Sequence, residues 1–259
     1  MFTIQMIFRS MATLATAAAL MLCFASEVEA EVVRNIVIVH GAFADGSGWE
    51  TVSDLLRLDG YNVQVVQPPL TSLDEDVAAT QRVIDAMPGP SILVGHSYGG
   101  VVTTEAGTDP NVVGLVYIAA FIPDTGESAL TLATETPAAA IGDIEVTADG
   151  LFLLFNEANF PADFAGDVPV VHSQFMARSQ VLLSLAAFEA PVTVPAWRSK
   201  PSWALVASND RVINPDQELA LAERAGSRII AVPSSHVAYI SHPIAVAGLI
   251  EAASTGSTP

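Results

Sequence analysis

The stretch Gly95-His96-Ser97-Tyr98-Gly99-Gly100 carries the clearest chemical pattern in this chain. A serine between glycines two residues either side, directly after the β-branched run Ser91–Val94 and before a helix-compatible run, matches a tight strand-to-helix turn with an exposed hydroxyl. Glycines there leave room for the chain to reverse, and the following helix aims its N-terminal amides at developing negative charge. A serine hydroxyl needs a base, and the base needs an orienting carboxylate. Of five histidines, His236 follows the strand-like run Arg228–Val232 and is the candidate base. Asp210 follows Ser202–Ala207 in the same way and is the candidate acid. Both fall where a doubly wound sheet presents its C-terminal edge, and the chain order Ser97, Asp210, His236 is the one expected for such a site. Two rivals stay open. His242 precedes Pro243 and reads as a helix cap, and Asp124, just past the run Val113–Ala119, reads as hinge or cap support.

Val39-His40-Gly41-Ala42-Phe43 closes the first strand-like run past the leader. A glycine-rich loop there can turn a backbone N–H toward the serine from the side opposite the elbow. The amides of Ala42 and Tyr98 are therefore the expected oxyanion donors, with Phe43 the lesser alternative. His40 reads as loop support. Phe43 and His96, flanking this geometry, are candidate substrate contacts.

These groups need a scaffold, and the remaining chain supplies an alternation of short apolar runs and amphipathic stretches, the signature of an α/β sheet covered by helices. Expected strands are Asn35–Val39, Asn62–Gln67, Ser91–Val94, Val113–Ala119, Ser202–Ala207 and Arg228–Val232. Expected helices are Trp49–Leu58, Leu73–Met87 with Ser72 as N-cap, Pro215–Ala225 and Pro243–Ala253. The alternation breaks between about Asp124 and Trp197, which reads as a cap insertion rich in large apolar side chains with one helical stretch, Val181–Phe188.

Composition narrows the function further. In 259 residues, 10 Lys and Arg stand against 28 Asp and Glu, and 51% of residues are hydrophobic, which excludes a disordered chain and argues against nucleic-acid binding. A single cysteine, Cys23, leaves no disulfide framework or cysteine-based metal site within one chain. No ligand cluster of plausible spacing implies a metal or an organic cofactor. Arg9, the apolar run Met11–Phe24 and Val28-Glu29-Ala30 read as a secretory signal over residues 1–30, with a retained anchor as the alternative. Cleavage would remove Cys23 and leave an exported, periplasmic or secreted domain over 31–259 with no stable membrane anchor. The residues carry no signal of oligomeric state.

His40-Gly41-Ala42 with Gly48-Trp49, the elbow Gly95–Gly100, Ala119-Ala120-Phe121 with Pro123-Asp124, Asp210-Arg211 and Ser235-His236 together resemble an α/β-hydrolase-fold serine hydrolase from about Asn35 to Ala253. Within that fold the chain is most similar to plant methyl esterases, hydroxynitrile lyases and their bacterial esterase-like relatives. The resemblance implies a mostly parallel, doubly wound sheet with a cap, and roles of nucleophile, acid and base for Ser97, Asp210 and His236. Lyase members are expected to carry a threonine where this chain has Gly41 and a lysine where it has Val237, so the resemblance favours hydrolysis of a small, largely apolar ester. Lactone or amide hydrolysis, lyase or cofactor-free haloperoxidase chemistry on the same site, and non-catalytic ligand binding are the alternatives.

Overall fold

A computed structural model describes residues 32–257. The expected signal segment and Cys23 lie outside the described residues. In chain order the strands are β1 (Asn35–Val39), β2 (Asn62–Val66), β3 (Ser91–Ser97), β4 (Val112–Ala120), β5 (Ile144–Val146), β6 (Phe152–Phe155), β7 (Leu183–Ser184), β8 (Ser202–Ala207) and β9 (Arg228–Val232). The helices are α1 (Glu50–Leu58), α2 (Leu73–Asp85), α3 (Gly99–Ala106), α4 (Ala129–Glu135), α5 (Phe160–Asp163), α6 (Val170–Arg178), α7 (Leu185–Glu189), α8 (Pro215–Arg224), α9 (Ala238–Ser241) and α10 (Pro243–Thr255).

Six strands pair in the order β2-β1-β3-β4-β8-β9, parallel throughout. The inner strands β1, β3 and β8 are buried along their whole length, as continuous apolar runs between helical layers must be, while the edge strands β2 and β9 leave residues partly exposed. Helix α2 begins where the sequence places it: the Ser72 hydroxyl accepts the Glu75 amide at 3.2 Å, and Asp74, Glu75 and Asp76 occupy the positive first turn. Strand β3 runs three residues past the expected end, because His96 and Ser97 pair with Ile118 and Ala120. The nucleophile candidate is thus the last residue of a central strand.

Between β4 and β8 the chain leaves the main sheet and builds α4 to α7 around a small antiparallel sheet ordered β5-β6-β7. The expected helix over 181–188 is corrected by this pairing. Leu183 pairs with Leu153 of β6, and helical structure starts only at Leu185, where the Ser184 hydroxyl accepts the Ala187 amide at 3.0 Å. Among the described residues, no helix is long and apolar enough to cross a membrane.

Candidate active site

Three strand ends converge on one buried cluster. Ser97 ends β3 with a φ of 54°, in the left-handed region where a non-glycine residue is strained. The opposite strand is strained at the same level: pairing jumps from His96–Ile118 to Ser97–Ala120, leaving Ala119 as a bulge with a φ of 43°. Close backbone approach locks the turn. A Cβ on Gly99 would lie 2.5 Å from the Val39 carbonyl oxygen, and one on Gly41 would lie 2.6 Å from the Ser97 Cβ. A larger residue at Gly41, the threonine expected of lyases included, would require the Ser97 turn to shift.

His236 sits in the loop after β9, fully buried. Its Nδ1–H donates to Asp210 Oδ2 at 2.5 Å, while Asp210 Oδ1 accepts the Val212 and Ile213 amides at 2.7 and 3.1 Å. With the proton on Nδ1, Nε2 is the nitrogen with a free lone pair, and it has no hydrogen-bond partner among the described residues. Unliganded sites of this chemistry commonly hold nucleophile and base loosely and tighten on substrate. Phe164 lies edge-on to the imidazole at 4.9 Å, a contact that fixes the ring plane and excludes water.

His96, expected to touch substrate, lies away from the cavity at Ser97. It is fully buried behind the base, its ring 4.7 Å from that of His236, and it lines no part of the cavity at Ser97. Burial first, then the neighbouring His236, pushes its basicity well down, so its neutral Nε2–H donates to the His236 carbonyl at 3.0 Å. It holds the base in place. His40 supports its loop as expected: it is buried, burial lowers its basicity, and its Nδ1–H donates to the Gly41 carbonyl at 2.8 Å.

Among the described residues, the amides of Ala42 and Tyr98 donate to no protein acceptor. The Phe43 amide is taken, donating to the Val181 carbonyl of the cap at 3.0 Å, which removes it as an oxyanion donor. Its ring, on a backbone with a φ of 61°, packs on Phe155 and Phe164 and lines the cavity that also holds Ser97. The Tyr98 hydroxyl donates to Asp76 Oδ2 at 2.8 Å. The cavity measures about 30 Å³, and side chains such as Phe121, Ile144, Leu153 and Val212 make its wall apolar.

The rivals lie elsewhere. Asp124 binds the Arg198 guanidinium through both oxygens, at 2.9 and 2.6 Å, in an exposed ion pair. His242 occupies the N-cap position of α10 but makes no side-chain capping bond; its Nδ1 instead meets the Ser241 hydroxyl at 2.9 Å. Val237, after the base, is fully buried in apolar surroundings that would not take an unpaired lysine. Two residues that bear on the site carry no mark in the motifs. Asp167, from the cap, accepts both the amide and the hydroxyl of Ser235, next to His236. Glu218 lies buried on α8 beside Asp210, and its place in the stripe Glu218, Leu221, Ala222 is a signal that helical spacing offers. Among the described residues, no three His, Cys, Asp or Glu side chains cluster so as to hold a metal ion.

A parallel sheet, a strained serine at a central strand end and an Asp–His pair at two further strand ends define a hydrolase architecture, and the profile of the Alpha/beta hydrolase family matches residues 36–249: the chain belongs to that family. A carbendazim hydrolyzing esterase of Nocardioides sp. (strain SG-4G) is 32% identical over 116 residues, 39% of this chain and 47% of the esterase, so that match spans under half of the relative's length. Probable hydrolase R7 of Phoma sp. (strain ATCC 20986 / MF5453) is 25% identical over 203 residues, 71% of this chain and 80% of its own. Among solved structures, a pyrethroid hydrolase from Sphingobium faniae JZ-2 superposes with a TM-score of 0.72 at 21% identity, covering 84% of this chain and 96% of that one. Polyneuridine aldehyde esterase superposes with a TM-score of 0.72 at 16% identity, covering 84% and 98%. These likenesses in structure show the shared fold.

Proposed function

We propose that the protein hydrolyses carboxylic esters of small, largely apolar substrates through a Ser97 acyl-enzyme. The observation that carries this reading is the buried His236 Nδ1–H bond to Asp210, which leaves Nε2 as the only basic nitrogen of that ring. As Ser97 Oγ attacks the ester carbonyl, Nε2 takes its proton, and Asp210 stabilises the imidazolium that forms. The oxyanion accepts the Ala42 and Tyr98 amides, each such donor being worth about 3 kcal/mol in the transition state. Nε2–H then protonates the departing alkoxide, and water repeats the sequence on the acyl-enzyme to release the acid. The apolar wall around Ser97 supports uncharged acyl groups, and the absence of room beside Gly41 supports hydrolysis over cyanohydrin cleavage.

A panel of short and medium chromogenic esters tests this. Ser97→Ala is expected to lower kcat by about 10⁴-fold or more and to abolish labelling by a fluorophosphonate probe; a variant as fast as wild type would overturn the assignment. Asp210→Asn is expected to lower kcat by roughly 10⁴-fold, with Asp124→Asn unaffected. The reading extends to export. A secreted product whose mass begins at Glu31 is expected, and an uncleaved chain retained in the cytosol would refute that part.

A further inference from the structure

Helix α8 carries three carboxyls, of which Asp216 and Glu223 face solvent and Glu218 is turned inward and buried. Glu218 lies under the turn that carries Asp210, and the two carboxyls share one anchor. The Ala207 amide at the end of β8 donates to Glu218 Oε2 at 3.0 Å, while the Ala207 carbonyl accepts the Asp210 amide at 2.9 Å. The Glu218 carboxyl sits directly beside that of Asp210.

No cation compensates this pair among the described residues. Arg211, next to Asp210, reaches away to Asp163; Arg224 of α8 binds Glu127; Arg228 of β9 donates to the Gly256 and Ser257 carbonyls; and β8 carries no titratable side chain. Two adjacent buried carboxylates without a counter-charge cannot both ionise. The negative charge settles where more donors meet it. Asp210 receives three N–H bonds, from His236, Val212 and Ile213, whereas Glu218 receives one, and its Oε1 is buried without a hydrogen-bond partner.

We propose that Glu218 is a positioning residue of the catalytic site, protonated at working pH, whose neutral carboxyl donates to Asp210 and keeps that group aimed at His236. The proposal rests on the triad reading only for its catalytic consequence; the location of the proton stands on its own. Burial, and then the charge of Asp210, push the Glu218 carboxyl well above the ordinary carboxylate range, in the same direction.

An infrared difference spectrum at pH 8, wild type minus Glu218→Gln, reads the proton directly. The carbonyl stretch of a protonated carboxylic acid is expected in wild type and absent from the variant; no such band would overturn the proposal whether or not any ester is turned over. Kinetics reads the consequence. Glu218→Leu is expected to lower kcat on the order of tenfold, the worth of one buried hydrogen bond, with KM little changed. Glu218→Gln, whose amide can still donate to Asp210, is expected to recover most of that loss and to leave the acid limb of the kcat/KM profile in place. An acid limb displaced downward in Glu218→Gln would mean that a carboxylate had been removed, and a Gln variant as impaired as Leu would mean that donation is not its role; either result refutes the proposal.

Discussion

Asp76 lies beneath the elbow with two donors, the Leu70 amide at 2.7 Å and the Tyr98 hydroxyl at 2.8 Å, and burial pushes its carboxyl up to about 6 against their pull. Between 3.8 and about 6 the folded protein therefore binds more protons than the unfolded chain, so its stability falls as pH rises through that window. Denaturation midpoints across that range are expected to show a shallower slope for Asp76→Asn than for wild type; parallel slopes would contradict the assignment. Tyr98→Phe leaves Asp76 Oδ2 buried without its donor and is expected to cost about 1–3 kcal/mol of stability, with a fall in kcat because the same residue's amide is a proposed oxyanion donor. At this scale Ser97, Asp210 and His236 were legible because each follows a strand-like run at an expected turn. His96 was not, since its residue type and neighbourhood match a substrate contact equally well, and only the side of the strand it occupies shows that it braces His236 instead.

The elbow is a junction of β1, β3 and α3, and its fit is set by backbone contact. Gly99→Ala would push a methyl group into the Val39 carbonyl, and is expected to cost about 1–3 kcal/mol, read as a lowered melting temperature, together with a loss of kcat as the Ser97 turn shifts. The loop that carries His236 is braced from the cap by Asp167, so Asp167→Ala is expected to lower kcat while leaving the sheet's stability nearly intact; an equal fall in both would make the contact merely structural. Strands of the main sheet were legible from their apolar, β-branched runs, three of them at both ends and the other three within one to three residues. The cap was not. Its strands are two to four residues long, shorter than any window in which alternation registers, and Leu183-Ser184 is drawn into β7 by partners on Leu153 and Phe152 that are distant in sequence.

Across the whole molecule the sheet order, not the local sequence, brings the three groups together: β3, β8 and β9 end on one edge, and β4 lies between the strand of Ser97 and the strand before Asp210. The fold class followed from the alternation of elements. The cavity of about 30 Å³ did not, because it depends on how the cap settles on that edge. Cap side chains such as Leu153 form part of its wall, so their size bears on the acyl groups that fit beside Ser97. Leu153→Ala is expected to shift acyl preference toward longer chains, at a cost of about 2–5 kcal/mol, and an unchanged chain-length profile would place the acyl group elsewhere. The cap departs from β4 and returns at β8, two strands that pair directly, and it meets the rest of the protein at a series of polar points, among them the Phe43 amide on the Val181 carbonyl, Ser184 on the Leu70 and Thr71 carbonyls, Asp167 on Ser235, Asp163 on Arg211, Glu127 on Arg224, the Leu132 carbonyl on Gln217 and Thr193 on Glu105. Segments of quite different sequence could be spliced between those strands without altering the register beneath, provided these moorings are kept. What the molecule cleaves and how it cleaves are in that sense separately heritable.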